Sequence, residues 1–194
     1  VHRLDRGTTG LLVIAKSDEA HRRLSAQLAA RTLKRTYAAI AWGRFPAAAF
    51  TIDEPIARNP RDRKLMAVVP GGKEARTHVT PLLATDLASS LQIDLETGRT
   101  HQIRVHLRHL GQPIVGDPDY GGRRRALRMA SPALRHRAAE MIADIDRPAL
   151  HARRLRFDHP FTNESVMFES PLPEDFLRIL ARVEAERPPE GKIR

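Results

Sequence analysis

The segment from His2 to Lys16 limits the fold more than any other, because a turn of small residues leads directly into an apolar run. The run at 11–15 is short and bounded by turn residues, which is the pattern of a buried strand. Asp5 stands just before the turn, between Arg3 and Arg6. A carboxylate at the mouth of a strand and flanked by cations can be held ionised and aimed, as a nucleophile must be. The alternative is that Asp5 only closes the turn through its side chain.

The rest of the chain alternates between helical and strand-like spacing of apolar residues. Ser17 caps a predicted helix in which Ala20, Leu24 and Leu28 recur every four residues, ending near Arg31. Alternating or continuous apolar segments predict strands, and proline-rich charged segments predict loops. The predicted strands are 34–42, 75–83 with a bend at Pro81, 91–95, 150–155 and 165–170; the loop is 46–64, and a closing amphipathic helix spans 171–185.

A second informative segment, 96–107, reads ETGRTHQIRVHL. A strand ends here, Gly98 turns the chain, and a helix starts whose apolar face carries Ile103 and which Gly111 ends. Backbone N–H groups and the helix dipole favour an anion near Thr100.

Three histidines in and after this segment raise the question of a metal site. The steps of five and three residues between His101, His106 and His109 do not place all three on one helical face. No cysteine or acidic ligand accompanies them, so the sequence predicts no metal. The chain has no cysteine at all, which also excludes disulfides and cysteine nucleophiles.

The chain is strongly basic, with a formal net charge of +10 from 33 Lys and Arg against 23 Asp and Glu. Most of the cations are arginines, whose planar fork suits phosphate and stacks on bases, so the composition favours a nucleic-acid partner. The alternative is a bias toward Arg and Ala that carries no function. Two clusters are predicted to contact backbone phosphates: Arg61 and Arg63 in the proline-rich loop, and Arg123, Arg124 and Arg125 after a turn-rich link.

The sequence contains no apolar run near the roughly 20 residues that cross a bilayer, and no signal peptide opens it. We therefore expect a cytoplasmic protein that needs no membrane. The first residue, Val1, directly precedes the acid-containing segment, so an N-terminal portion is expected to be missing.

Three segments resemble the motifs of RluA-family pseudouridine synthases, in the order that the family shows. They are HRLDRGTTG at 2–10, KRTYAAIAW at 34–42 and ETGRTHQIRVH at 96–106. The resemblance extends to about Leu180 and is greatest with the D-type enzymes, which modify 23S rRNA of the large subunit. It implies an α+β fold with a mixed, mostly antiparallel sheet flanked by helices and loops, here lacking the N-terminal strands. Residues 1–186 would form the catalytic domain and 187–194 a flexible tail.

The same resemblance implies an activity and assigns roles to four residues. Uridines in RNA, most of all in 23S rRNA, would be isomerised to pseudouridine by a monomer without metal, nucleotide or organic cofactor. Asp5 would be the catalytic residue, acting on a uridine flipped out of its helix. Tyr37 would pack against the target base, Arg104 would pair with Asp5, and Arg3 would enter the space that the base leaves.

Several alternatives stay open at this point. Asp5 could attack the sugar, attack the base, or take a C2′ proton to give a glycal. The chain could also be an RNA-binding module that has lost its chemistry. A third alternative is a histidine-dependent RNA hydrolase that uses His101 or His106 and shortens its product.

Overall fold

The computed structural model describes residues 1–126 and 131–187. Along these residues, six consecutive strands are followed by three helices, and the remaining strands and helices lie before and after this part of the chain. The strands are β1 (Thr9–Gly10), β2 (Lys34–Trp42), β3 (Phe50–Asp53), β4 (Ile56–Arg58), β5 (Met66–Val68), β6 (Arg76–Ala84), β7 (Ala88–Leu95), β8 (Leu150–Asp158) and β9 (Ser165–Glu169). The helices are α1 (Asp18–Ala29), α2 (Gln102–His109), α3 (Gly122–Ala126), α4 (Pro132–Ala143) and α5 (Glu174–Ala185).

One large sheet organises the fold. Its strands follow the order β1-β8-β2-β7-β6-β3, and β9 pairs with β8 beyond β1, while β4 and β5 form a separate two-stranded sheet. The pairing of β1 with β8 is parallel, and the other pairings of the large sheet are antiparallel. The predicted α+β fold with a mixed, mostly antiparallel sheet and flanking helices is therefore confirmed.

The core lies on the central strands β2 and β7, which pair over seven residues. Ile40 and Trp42 on β2 and Leu91 and Ile93 on β7 are fully buried. Each large apolar side chain withdrawn from water stabilises the fold by about 1.5–3 kcal/mol. The indole N–H of Trp42 donates to the carbonyl of Gly122, 2.6 Å away, and so joins β2 to the start of α3.

Helices α1, α2 and α5 begin and end close to where the sequence predicts, whereas α3 and α4 were not predicted. The Ser17 hydroxyl accepts a hydrogen bond from the backbone N–H of Ala20, so the predicted cap of α1 is confirmed. In α5, Phe176, Ile179 and Val183 are buried against the core. No helix in the described residues is both long enough and apolar enough to cross a bilayer.

The prediction of a buried strand at 11–15 is wrong. The strand is limited to Thr9–Gly10, and Leu12 and Ile14 are exposed. The reason is competition for the edge of β8: β1 pairs at His151 and Ala152, and β9 takes the same edge from Arg154 onward. The segment after Gly10 therefore has no strand to pair with and buries only one face.

The prediction of an irregular loop at 46–64 is wrong in part, because β3 and β4 lie within it. The predicted bend at Pro81 is confirmed, since the register of β6 against β7 shifts between Pro81 and Leu83. Beyond Arg187, the predicted tail lies outside the described residues.

Candidate active site

A narrow cleft, here called the Asp5 cleft, opens where the turn before β1, strand β2 and the loop before α2 meet. Asp5 lies on its first wall, Tyr37 on its second and Thr100 on its third. Its other lining residues are Arg3, Leu4, Thr8, Arg35, Leu95, Gly98, Arg99, Gln102, Ile103 and Leu150. The motifs that are far apart in sequence therefore meet at one place.

Asp5 is held by a turn anchored to the sheet. The backbone N–H of Thr8 donates to the carbonyl of Asp5 at 2.9 Å, and the next residues pair with β8. Gly10 permits this pairing, because a Cβ there would lie 2.2 Å from the carbonyl oxygen of Ala152. The Asp5 side chain is 17% exposed and lines the cleft.

Tyr37 and Arg35 lie on the same face of β2, because alternate residues of a strand point to the same side. Both are buried. Burial raises the pKa of the Tyr37 hydroxyl; the Arg35 charge opposes this rise and the Asp5 charge adds to it. The phenol is therefore protonated at neutral pH and can donate a hydrogen bond into the cleft.

A chain of hydrogen bonds approaches Asp5 through His101. The backbone N–H of Met66 donates to the Tyr120 hydroxyl at 3.0 Å, and that hydroxyl lies 2.7 Å from His101 Nδ1. Because Nε2 faces the carboxylate of Asp5, which can only accept, the tautomer with its proton on Nε2 is favoured, and Nδ1 then accepts from the Tyr120 hydroxyl. Neutral His101 then carries its proton on Nε2, which faces Asp5 Oδ1 at 4.0 Å.

His101 is held in an uncommon backbone conformation, with φ of 57° at the start of α2. Positive φ is rare for residues other than glycine and is often found at functional sites. Burial lowers the pKa of His101, while the charge of Asp5 opposes this and that of Arg104 adds to it. The imidazole is therefore neutral at pH 7.

The predicted ion pair between Arg104 and Asp5 does not form. Arg104 instead donates to Asp117 through Nε at 2.7 Å and Nη2 at 2.8 Å, and to Asp119 at 2.7 Å. Two acids from the turn after α2 thus occupy the guanidinium, which is 2% exposed. Burial lowers the pKa of Arg104, but the bonds and charges of both acids raise it above its usual value.

Arg104 influences the Asp5 cleft indirectly, through Tyr120. Its guanidinium lies 4.7 Å from the ring centroid of Tyr120, and Asp117 also accepts from the backbone N–H of Tyr120 at 3.0 Å. The ion pair therefore positions Tyr120, and through it His101.

Three arginines line the cleft without a carboxylate partner. No ion pair within 4.0 Å involves Arg3, Arg35 or Arg99 in the portion of the chain that the structure describes. Among the described residues, the Arg99 side chain donates through Nε to the carbonyl of Glu74. The positive charge around the cleft is thus available to an anionic ligand, and Arg3 is one of its sources.

The arginines predicted to contact phosphates differ in exposure. Arg61 and Arg63 are exposed between β4 and β5, and Arg124 and Arg125 are exposed on α3. Arg123 is half-buried and donates through both Nη atoms to the carbonyl of Ile145. Its guanidinium therefore has a role inside the fold.

The other histidines of α2 do not join the cleft. The ring of His106 contacts the Thr77 hydroxyl at 2.9 Å and the Glu54 carbonyl at 3.0 Å, so both nitrogens are engaged in the fold. Among the described residues, no group of three or more His, Asp and Glu side chains is arranged to hold a metal ion.

Sequence reasoning missed Arg35 and Tyr120 as members of this site. Tyr120 lies in the GDPDYGG turn, whose resemblance to the family could have drawn attention to it. Arg35 could have been found from its spacing, because it lies two residues before Tyr37 in a strand and so shares its face.

The sequence and the fold match proteins of one kind. A family model described as RNA pseudouridylate synthase matches residues 1–109. Among curated proteins, the chain is 49% identical over 187 residues to a ribosomal large subunit pseudouridine synthase D of Pseudomonas aeruginosa, covering 96% of this chain and 57% of the relative. It is 44% identical over 186 residues to the protein of the same name from Escherichia coli K12, covering 96% and 56%. The chain spans about half the length of these curated relatives.

A solved structure gives the same result. Human RNA Pseudouridylate Synthase Domain Containing 1 superposes with a TM-score of 0.69 at 25% identity, covering 97% of this chain and 81% of that one. The resemblance of the motifs is thereby confirmed, and two of the relatives carry the D-type name. The chain belongs to the RNA pseudouridylate synthase family.

Proposed function

We propose that this chain isomerises uridine to pseudouridine in RNA, with Asp5 as the catalytic residue. The observation that carries the proposal is the Asp5 cleft itself. It brings a sheltered carboxylate, a protonated phenol and three unpaired guanidiniums together on motifs of this family. The large-subunit names of the relatives support 23S rRNA as the substrate.

The reaction balances without a co-reactant. The N1–C1′ bond breaks, the base turns, a C5–C1′ bond forms, C5 loses its proton and N1 gains one. No electrons are exchanged with another molecule, so no redox cofactor is required. Asp5 acts on the extruded nucleotide, and the Tyr37 phenol packs beside the base and donates a hydrogen bond to it.

The basic surface supports binding to a folded RNA. Arg3 has the position and shape to stack where the target base had been, since a guanidinium plane replaces a base well. Arg61, Arg63, Arg124 and Arg125 are exposed and suit backbone phosphates, which fix the position of an RNA without reading its sequence. We also propose that the chain acts as a monomer in the cytoplasm, where an enzyme that modifies ribosomal RNA meets its substrate.

Loss of tritium from C5 tests the proposal. Asp5→Asn removes the charge with little change in volume, so RNA affinity should persist while release of tritium from [5-³H]uridine-labelled 23S transcript falls to background. The parent chain should release tritium, keep the RNA at full length and give pseudouridine on nucleoside analysis. Shortened RNA would indicate a hydrolase, and full-length RNA without pseudouridine would indicate a binding module.

A further inference from the structure

We propose that Arg35 is a binding site for a backbone phosphate next to the target nucleotide. This inference rests on the proposed function and names one contact of the same substrate. Arg35 lies within the KRTYAAIAW motif, but the resemblance assigned it no role, and the inference comes from the contacts around its side chain.

Arg35 is a buried cation without a counterion. It is 8% exposed, and its Nη2 donates to the carbonyl of Thr97 at 3.3 Å. Its Nε is buried and has no hydrogen-bond partner in the described residues, and no carboxylate lies within 4.0 Å of the guanidinium. A buried charge of this kind is costly unless a ligand of opposite charge completes it.

Unsatisfied polar atoms belong to residues that line the two cavities bordered by Arg35. Four buried side-chain atoms lack a partner in the described residues: His2 Nδ1, Thr8 Oγ1, Arg35 Nε and Arg154 Nε. The first three belong to residues that line the Asp5 cleft or the hollow beside it. Buried polar groups are nearly always paired, so such a concentration marks a place where a polar ligand supplies the missing partners.

The guanidinium stands between two cavities. The Asp5 cleft holds about 70 Å³, whereas the adjoining hollow, lined by His2, Arg31 and Glu96 among others, holds about 700 Å³. Ligand sites usually enclose about 300–1,000 Å³, so an occupant of the cleft extends into the hollow. Arg3, Arg35, Gly98 and Arg99 line both. A nucleotide chain that enters the cleft therefore passes its backbone across Arg35.

The ligand is an anion with several acceptor oxygens. The ring of His2 offers no charge that competes, because burial and then the Arg35 charge lower the pKa of His2 to about 4. Arg31, by contrast, is already paired with Glu74 and Glu96 at the rim of the hollow. Among the described cations of the hollow, Arg35 is the buried one that lacks a carboxylate, and a guanidinium fork matches a phosphate diester.

Binding of a short RNA to Asp5→Asn protein tests this contact without turnover. The probe is the heptamer AAAUAAA, natural or with one neutral methylphosphonate linkage, placed 5′ or 3′ of the uridine. The neutral linkage on one side should weaken binding about 10- to 100-fold, as expected for one charge-assisted bond. Arg35→Gln should weaken binding of the natural RNA by the same factor. It should cause little further loss of affinity for the RNA that carries this neutral linkage. Arg35→Lys should recover part of the loss.

Lys34→Gln is the matched control, because it removes the same charge from the neighbouring, exposed face of β2. It should leave the difference between natural and modified RNA intact. Equal weakening of all three RNAs by Arg35→Gln, or a loss no greater than that in Lys34→Gln, would overturn the proposal.

Thermal stability separates binding from a structural role. Arg35→Met keeps the apolar stem and removes a buried, uncompensated charge, so its melting temperature should equal or exceed that of the parent. A fall in melting temperature together with the fall in affinity would assign Arg35 to the fold. The proposed function is tested separately. Tritium release by the parent, with independent effects of Arg35→Gln and the neutral linkage on affinity, would contradict this inference alone. Non-additive effects on affinity without tritium release would contradict the proposed activity alone.

Discussion

His101 faces Asp5 across 4.0 Å, from Nε2 to Oδ1, and among the described residues it is the ionisable partner within ion-pair distance of that carboxylate. Its other nitrogen is fixed by Tyr120, and Tyr120 is fixed by the backbone of Met66. At 4.0 Å the Nε2 atom is near the carboxylate but beyond hydrogen-bond length. We therefore expect His101 to help position Asp5, with Arg104 holding Tyr120 behind it.

Replacement of His101 should lower catalysis more than binding. His101→Asn tolerates positive φ but shortens the side chain and breaks the hydrogen bond with Tyr120. A misplaced catalytic group can cost about 10²-fold, so kcat should fall by about 10- to 100-fold at similar KM. Single-turnover assays check this, with the exposed His109→Asn on the same helix as control. An unchanged kcat would remove His101 from the positioning role.

Removal of Arg104 should destabilise the fold. Arg104→Ala leaves Asp117, whose side chain is fully buried, without its cation. Stranding one partner of a buried pair costs about 3–5 kcal/mol. Urea unfolding measures the loss, and Arg108→Ala, an exposed arginine of the same helix, should cost far less. Equal stability of the two variants would contradict a tight Arg104–Asp117 pair.

A methyl group at Gly98 should weaken RNA binding with little loss of stability. A Cβ there would stand 2.7 Å from Arg35 Nη1, the flexible end of a side chain. Gly98→Ala therefore moves the guanidinium away from both cavities. Anisotropy titration should show reduced affinity for the natural heptamer, while Gly71→Ala, in open space on a surface turn, leaves affinity unchanged. Full affinity in Gly98→Ala would count against the position of Arg35.

Acid should destabilise the protein through its buried histidines. Burial lowers the pKa values of His2, His101, His106 and His151, that of His2 to about 4. At a pH between these lowered pKa values and 6.5, the usual pKa of histidine in an unfolded chain, the unfolded state binds more protons than the folded state. The free energy of unfolding should therefore fall as pH drops from about 6.5 toward 4. His2→Gln should make this fall shallower in urea unfolding series; an identical slope would exclude His2 as a contributor.

The arginines of α3 should contribute to the salt dependence of RNA binding. Arg124→Ala with Arg125→Ala should reduce the slope of log K against log salt by about 0.7–0.9 for each phosphate that the variant no longer neutralises. Arg44→Ala with Arg156→Ala removes the same charge from other exposed positions and serves as control. A salt-dependence slope equal to that of the parent would show that the RNA does not contact Arg124 and Arg125.

The sequence predicted those features that depend on residues close to one another in the chain. The cap at Ser17, the bend at Pro81 and the closing helix follow from neighbouring residues, and the structure confirms them. The family motifs likewise placed Asp5 and Tyr37 on one cleft.

What the sequence could not predict depends on competition between distant residues. The sequence does not show whether Arg104 pairs with Asp5 or with Asp117 and Asp119. The turn after α2 brings the last two within hydrogen-bond distance of its guanidinium. The apolar run 11–15 lacks a strand partner because β9 occupies the edge of β8. The spacing of Arg35 from Tyr37 indicates that it shares a face with Tyr37, but the lack of a carboxylate partner is known only from its surroundings.

The parallel pairing of β1 with β8 joins residues that are 142 positions apart, such as Thr9 and His151. A ribosome that adds about 5–20 residues per second needs roughly 7–28 s to make that intervening length. Until β8 has emerged, the segment that carries Asp5 lacks the strand with which it pairs in this sheet. The Asp5 cleft is therefore completed late in synthesis, when β8 pairs with β1.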